Sequence, residues 1–450
     1  MAEFLRNSDA FVWSIERDPR LRSTIVSLVL LDRSPDWGLL VDRFEALSRA
    51  VPMFRQRIVP SPLFASPHWE DDPDFDLAFH LRRVSAAAPA NLDTILEMAR
   101  IAAMADFDRM RPLWEVTLID GMTDGGAALL CKLHHALTDG IGAVQIAMTL
   151  YDNREQAEQR QIPESAANTV LAGWRDVLLS EASIASNSLA SSLRATPRFI
   201  LNSVRRPLRT LSAVGSTAAS ILRTARPIRR PGSPIMLERS KMRKLGVHQV
   251  QKEALYRAGK AAGGSLNDAF IAGVAGGLRR YHDKHGAHAD GLVVTMPISI
   301  RTPTDPVGGN RATLMRFEVP AGIADPAQSI RLIHEQTTMQ RNEKSLAYTQ
   351  FIAGALNLAP RWYVGSALRN VDFVASDVPG LPTPVYLAGA KVRMQYAFSP
   401  TIGAALNVTL LSYVDTCALG INADTGAIPD FDVFYDCLVA GFEDVLRLAT

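Results

Sequence analysis

Cysteine is scarce in this chain: Cys131, Cys417 and Cys437 are the only three among 450 residues. None stands in a Cys-x-x-Cys pair, which excludes a disulfide framework and a thiol-ligated zinc or redox motif, and a reducing compartment is expected. An excess of one charge is also missing. The 48 Lys and Arg against 46 Asp and Glu leave +2, so the whole chain is neither a nucleic-acid polycation nor an acidic tail protein, and no nucleic-acid partner is expected. Long apolar runs are lacking too. The longest uncharged run, Met394 to Val414, is punctuated by Gln395, Ser399, Pro400, Asn407 and Ser412, and reads as two or three strands rather than a membrane span. Met1 to Asp9 holds no basic region leading into an apolar run, so no signal peptide is expected. No Gly-x-Ser-x-Gly elbow and no His-Glu-x-x-His helix occurs, which sets aside the common serine hydrolases and zinc peptidases.

What remains is an ordinary globular composition, 47% hydrophobic and 21% charged, far from the disordered corner. At roughly 150 residues per domain, the length predicts about three domains or two large ones. Residues 25–31, 114–119 and 127–133 read as strands and 37–51 and 92–105 as helices, giving a mixed α/β lobe that ends near residue 165. From residue 241 the pattern restarts. Helices are predicted at 250–261, 266–282, 327–340 and 431–448, with strand-like runs at 292–296, 371–375, 385–388, 404–411 and 418–422. Two α/β lobes of similar size, 1–165 and 241–450, then flank a linker at 166–240, and a ligand is expected between them.

The linker is strongly basic. From Ala182 to Leu237 it carries nine Arg and no Asp or Glu, so the rest of the chain is net acidic. Ile200, Val204, Leu208 and Leu211 recur at helical spacing among Arg198, Arg205 and Arg209, yet five prolines interrupt it. It reads either as a surface for anionic lipid or as a solvated interdomain linker.

The sharpest feature is His134-His135-Ala136-Leu137-Thr138-Asp139-Gly140, directly after an apolar strand. If the chain stays extended through the pair, the two imidazoles leave on opposite faces. One then enters a cleft and the other must be satisfied within the protein. Histidine is the usual general base for a hydroxyl proton at neutral pH, which suits acyl transfer to an alcohol. Adjacent histidines on a strand do not converge on one metal ion. Cys131 is a candidate nucleophile by position, but packing is its expected role. Asp139 reads as the cap of a following helix or as the partner of an arginine that holds the histidine loop; the two are compatible. His282, His285 and His288 run off a helix end, where a polar terminus is expected rather than a metal site.

The motif from His134 to Gly140 resembles the HHxxxDG signature of the superfamily that includes chloramphenicol acetyltransferase and peptide-synthetase condensation domains. Pro112-Leu113-Trp114-Glu115, Asn267-Asp268, Pro297-x-Ser299-x-Arg301, Gly309-Asn310, and Ser376-Asp377-Val378-Pro379-Gly380 leading to Tyr386-Leu387-Ala388-Gly389-Ala390 follow in an order similar to that of the bacterial wax ester synthase/diacylglycerol acyltransferase family. The resemblance spans nearly the whole chain. It implies two chloramphenicol-acetyltransferase-like lobes with an interlobe tunnel, acyl-CoA as co-substrate with no further cofactor or metal, and a diacylglycerol or long-chain alcohol as acceptor. It also implies a cytoplasmic protein lying peripherally on a membrane or lipid droplet.

Carried over by position, His135 is the base, His134 and Asp139 shape its loop, and Asn267 reaches the site from the second lobe. Pro112, Leu113 and Trp114 shape the acyl pocket. Asn267 or backbone N–H groups near Gly140 are the candidate oxyanion donors, and Arg301 or linker arginines the candidate partners of the CoA phosphates. Without the family, Asn267 reads as a helix cap and Trp114 as a core aromatic. Two departures stand out: Asp377 where the family often has Asn, and Leu381 where it often has Pro. Ionised, Asp377 only accepts hydrogen bonds, which bears on acceptor choice. The competing readings are a related acyltransferase acting on another lipid alcohol or an amine, and a catalytically idle lipid-surface protein.

Overall fold

The computed structural model describes residues 3–61, 66–156, 230–299, 312–341, 368 and 370–449. Most of the arginine-rich stretch, together with Arg301, Gly309 and Asn310, lies outside the described residues. In the N-terminal half the order is β1 (Glu3–Phe4), α1 (Asn7–Ile15), β2 (Thr24–Leu31), α2 (Trp37–Ala50), β3 (Gln56–Val59), β4 (His68–Asp71), α3 (Leu77–His80), β5 (Leu81–Ser85), α4 (Leu92–Met104), β6 (Trp114–Asp120), β7 (Ala127–His134) and α5 (Gly140–Met148). In the C-terminal half it is β8 (Arg243–Gln251), α6 (Lys252–Ala261), α7 (Leu266–Lys284), β9 (Gly291–Ser299), β10 (Ala312–Pro320), α8 (Pro326–Arg341), β11 (Phe373–Val378), β12 (Tyr386–Leu387), β13 (Ala390–Phe398), β14 (Leu406–Tyr413), β15 (Thr416–Asp424) and α9 (Phe431–Leu446).

Two mixed six-stranded sheets result, ordered β12-β13-β2-β7-β6-β5 and β10-β9-β11-β14-β15-β8, beside a small sheet of β1, β4 and β3. This is the expected mixed α/β architecture of two lobes. One feature departs from the expected boundary: residues 386–398, placed by sequence in the C-terminal lobe, complete the N-terminal sheet, where β13 pairs antiparallel with β2. The chain then crosses into β14 of the other sheet. Nothing in the local pattern of β13 marks this, because an alternating strand pairs equally well with either sheet.

Strand β8 is a second difference. The apolar spacing of Val250, Leu255 and Ala258 fits a helix, but Val250 pairs with Cys417, and the helix begins only at Lys252, whose N–H donates to the Asp415 carbonyl at 2.8 Å. Cross-strand pairing overrides the helical period there.

The lobes share a core. Tyr396 and Phe398 of β13 are sealed from water together with Val26, Leu28, Leu130, Leu245 and Ala418, and each such side chain contributes about 1.5–3 kcal/mol on burial. Where β13 passes over β15 the approach is so close that a Cβ on Gly420 would run into the carbonyl oxygen of Ala397. Gly420→Val is therefore expected to destabilise the protein by at least about 1–3 kcal/mol, read as a lower melting temperature, whereas Gly121→Ala, at a turn where an added Cβ meets nothing within 4 Å, has a lesser effect set by its positive φ alone.

Candidate active site

Strand β7 ends at His134 and the chain turns there, the Leu137 N–H donating to the His134 carbonyl at 2.9 Å, while the N–H of His135 donates to the Ser23 carbonyl at 3.0 Å. The extended geometry expected from the sequence does not persist through the pair, yet the turn separates the two imidazoles, with His135 on the cavity side. His134 turns into the N-terminal lobe and is fully buried. Its Nδ1 accepts the Ala136 N–H at 3.0 Å, so the ring proton sits on Nε2, which lies 2.9 Å from Glu16 Oε2. Trp13 and Phe107 meet the ring edge-on, at centroid distances of 5.7 and 6.0 Å.

Glu16 closes α1. It accepts the Ser23 N–H at 2.6 Å and faces Arg109 at 3.5 Å. Burial pushes its carboxyl upward, but His134, the Ser23 N–H and Arg109 outweigh that and hold it below the ordinary value. The Ser23 backbone thus joins the two histidines: its N–H donates to the carboxylate that holds His134, and its carbonyl accepts the His135 N–H. No sequence signal marked Glu16, because its partner lies in a distant element.

His135 stands on the wall of a cavity formed by both lobes, about 1610 Å³ of space that is partly open to solvent. Burial depresses its pKa, and His134 adds to that; the hydrogen bond to its own backbone and the carboxylates of Asp139 and Glu16 oppose, without reversing the shift. The ring is neutral at pH 7. Asp139 caps α5, accepting the Gly142 N–H at 2.7 Å. Gly140 also reaches the cavity, and a Cβ there would come 2.8 Å from Val378 Cγ2, so the histidine loop and the end of β11 nearly touch.

The N-terminal wall is aliphatic and aromatic, from Phe44, Phe54, Leu129, Leu133 and Val144. Cys131 lies among them with its thiol pushed up to about 12 by burial, a packing thiol rather than a nucleophile. The opposite wall comes from β9, β10, β11 and β14, and β13 with its following loop joins them. In that loop Ile402 has φ of 46°, a left-handed conformation that costs a β-branched residue about 1–3 kcal/mol. Three hydrogen bonds hold it there: Asn407 Nδ2 to the Pro400 carbonyl, Asn422 Nδ2 to that of Ser399, and Arg239 Nε to that of Gly403, at 2.8, 3.0 and 2.7 Å. Ile402 lines the cavity and went unmarked in the sequence.

Three groups of expected site residues are placed elsewhere. Pro112, Leu113 and Trp114 do not line the cavity. Trp114 is wholly buried, donates Nε1–H to the Phe54 carbonyl at 2.8 Å and stacks on His80 at 4.6 Å and Phe44 at 6.1 Å, so it backs the two phenylalanines that form the wall. Leu113 accepts the His134 N–H at 3.0 Å and supports the histidine loop from behind.

Asn267 is buried at the start of α7, its Nδ2 3.7 Å from Met296 Sδ, and is not on the cavity wall. On β9 it is Thr295 and Pro297 that line the cavity, so Met296 points to the other face, where α7 packs. Parity also moves Asp377 away: Val374, Ser376 and Val378 of β11 face the cavity, and Asp377 faces the helices. Leu381 packs in the N-terminal core. Of the helix-end histidines, His282 bonds to Leu278 and Ser233, while His285 and His288 face Asp430 and Asp290.

Comparison with known proteins agrees with this geometry. The family described as wax ester synthase/diacylglycerol acyltransferase catalytic domain matches residues 5–270, and the WS/DGAT C-terminal domain matches residues 308–445. A Mycobacterium tuberculosis protein named as a diacylglycerol O-acyltransferase is 35% identical over 446 residues, covering 96% of this chain and 90% of its own. Another from that organism, named tgs1, is 28% identical over 92% of this chain and 88% of its own. Among solved structures, the wax ester synthase/diacylglycerol acyltransferase of Marinobacter aquaeolei VT8 superposes with a TM-score of 0.68 at 21% identity, covering 99% of each chain. The first condensation domain of the calcium-dependent antibiotic synthetase gives 0.67 at 15% identity, covering 100% of this chain and 96% of its own. The two lobes with a shared cavity are thus an acyltransferase fold. The chain belongs to the wax ester synthase/diacylglycerol acyltransferase family.

Asp377 supplies a pH test. Burial raises its carboxyl to about 6, with Arg341 and Lys252 pulling down. A folded-state pKa above the unfolded one gives stability that is complete below about pH 4 and is lost as pH rises through 6. Allowing for partial exposure, Asp377→Asn is expected to stabilise the protein by about 1–2 kcal/mol at pH 8, and to bring no gain at pH 4. Urea unfolding at the two pH values measures the difference.

Proposed function

We propose that this acyltransferase moves the acyl group of an acyl-CoA to the hydroxyl of a diacylglycerol or a long-chain alcohol, with His135 as general base and no covalent enzyme intermediate. One observation carries the reading: a neutral imidazole stands on the wall of a mostly apolar cavity to which both lobes contribute. The His135 imidazole takes the hydroxyl proton while the oxygen attacks the thioester carbonyl, and the proton then passes to the departing CoA thiolate. The oxyanion needs donors fixed in advance. With Asn267 off the cavity wall, the backbone N–H groups at the start of α5 are the donors of choice, where the helix dipole also favours negative charge. Glu16 and His134 hold the loop without touching substrate. The relatives' names favour diacylglycerol as acceptor, and no further cofactor is required.

Purified protein given one labelled long-chain acyl-CoA with diacylglycerol or a fatty alcohol is expected to yield the corresponding neutral ester. His135→Ala should lower the rate about 10²–10⁴-fold with an unchanged melting temperature; near-full activity in a folded variant defeats the assignment.

We further propose peripheral attachment to anionic lipid through the arginine-rich linker. No helix among the described residues is long and apolar enough to cross a membrane. Neutralising Arg194 to Arg230 should abolish co-sedimentation with phosphatidylglycerol vesicles at low salt, each arginine contributing on the order of 1 kcal/mol. Unchanged binding would rule this attachment out.

A further inference from the structure

One charged group on the cavity wall has no part in the transfer just described. Arg316, on β10, lines the cavity, and no described residue forms a hydrogen bond or ion pair with it. Its Nε is sealed from water without a partner, and burial alone acts on the guanidinium. Its cross-strand neighbour is Thr295 of β9, also on the wall, whose buried Oγ1 has no partner either. Other arginines of the lobe are matched: Arg243 meets Asp424, and Arg239 donates to the carbonyls of Met236, Val371 and Gly403. A guanidinium sealed at Nε beside a sealed hydroxyl, with no partner for either among the described residues, presents donors that an anionic group of a ligand in the cavity would satisfy.

We propose that Arg316 and Thr295 receive the carboxylate of an aliphatic chain, and that a hydroxy-carboxylic lipid is thereby an acceptor for this enzyme alongside neutral alcohols. Three observations select that class. The surroundings are aliphatic, with Leu314, Val371, Val374 and Ile402 on the same wall, which suits a hydrocarbon chain. Arg316 is the one Lys or Arg among the described lining residues; a planar carboxylate matches one guanidinium fork, whereas the several phosphate charges of CoA require more cations.

Position agrees as well. Val374 lies four residues along β11 from Val378, which abuts Gly140, and two strand spacings from Arg316, so Arg316 sits roughly 15–20 Å from the histidine loop. A hydroxyl in mid-chain then reaches His135 while the carboxylate rests on Arg316. The step is the one proposed above, and the inference rests on that reading: the hydroxyl oxygen bonds to the thioester carbon, the C–S bond breaks, and the proton travels through His135 to the CoA thiolate. The carboxylate is unchanged.

Binding and turnover are measured separately so that the two proposals fail separately. Titration calorimetry of the full chain with dodecanoate, dodecyl phosphate and dodecanol is compared for the native protein, Arg316→Met and His135→Ala. Arg316→Met should weaken dodecanoate by about 10–100-fold relative to dodecanol, and should melt no lower than the native protein, since no internal partner is lost. His135→Ala should keep dodecanoate binding even though transfer stops. In turnover, Arg316→Met should lower transfer to 12-hydroxyoctadecanoate, relative to octadecanol, at least ten-fold. Equal dodecanoate affinity in native and Arg316→Met proteins overturns the proposal. So does dodecyl phosphate binding tighter than dodecanoate with the same dependence on Arg316. A rise in KM for acyl-CoA, but not for the acyl-N-acetylcysteamine thioester, with dodecanoate binding unaltered, assigns Arg316 to the coenzyme phosphates and likewise overturns it.

Discussion

Strand β13 hydrogen-bonds to β2 of one sheet, and eight residues after it ends the chain is already running as β14 of the other. The cavity exists because of this crossing. A strand bound to one sheet and covalently continuous with the next cannot let the two drift apart without breaking its own pairing. It also threads Tyr396 and Phe398 into a core common to both lobes. The connecting loop pays for the crossing at Ile402, whose left-handed backbone persists because side chains of β14 and β15 and the pre-β8 segment hold the neighbouring carbonyls.

The histidine pair depends on that frame in a different way. Two imidazoles at the end of one strand are chemically alike, and environment alone divides their roles. His134 is sunk beside Glu16, with Trp13 and Phe107 against its ring; His135 faces the cavity. The Ser23 backbone connects them, so the carboxylate that orients the first ring also holds the segment to which the second is hydrogen-bonded. In a wall of such low polarity a neutral imidazole is the stable form, which is the form a base needs.

Long periodic elements were legible in the sequence because a hydrophobic stripe of the right period has few alternatives. Helices α2, α4, α7 and α9, and strands β2, β6 and β7, lie close to where the pattern put them. The edge of α6 was not, since Val250 serves a strand as readily as a helix. Glu16 and Arg316 were invisible. A lone charged residue in sequence reads as solvated surface, and what distinguishes these two is burial, which depends on elements far away along the chain. Facing was the commonest source of misplacement: Asp377 on β11 and Asn267 at the start of α7 belong to the expected motifs, yet each lies on the helix side of the sheet, and Trp114 supports the pocket instead of forming it.

The sequence by itself determined the parts: an imidazole pair at a strand end, an acidic helix cap after it, and two runs of α/β elements around a basic stretch. These are local properties, settled by residue type and by periods of two and 3.6. Only the tertiary structure decided which face of each strand meets the cavity, that β13 serves the other lobe, and that one arginine is left among aliphatic side chains. Those outcomes depend on packing between segments hundreds of residues apart, where a shift of one residue in register exchanges cavity wall for helix contact.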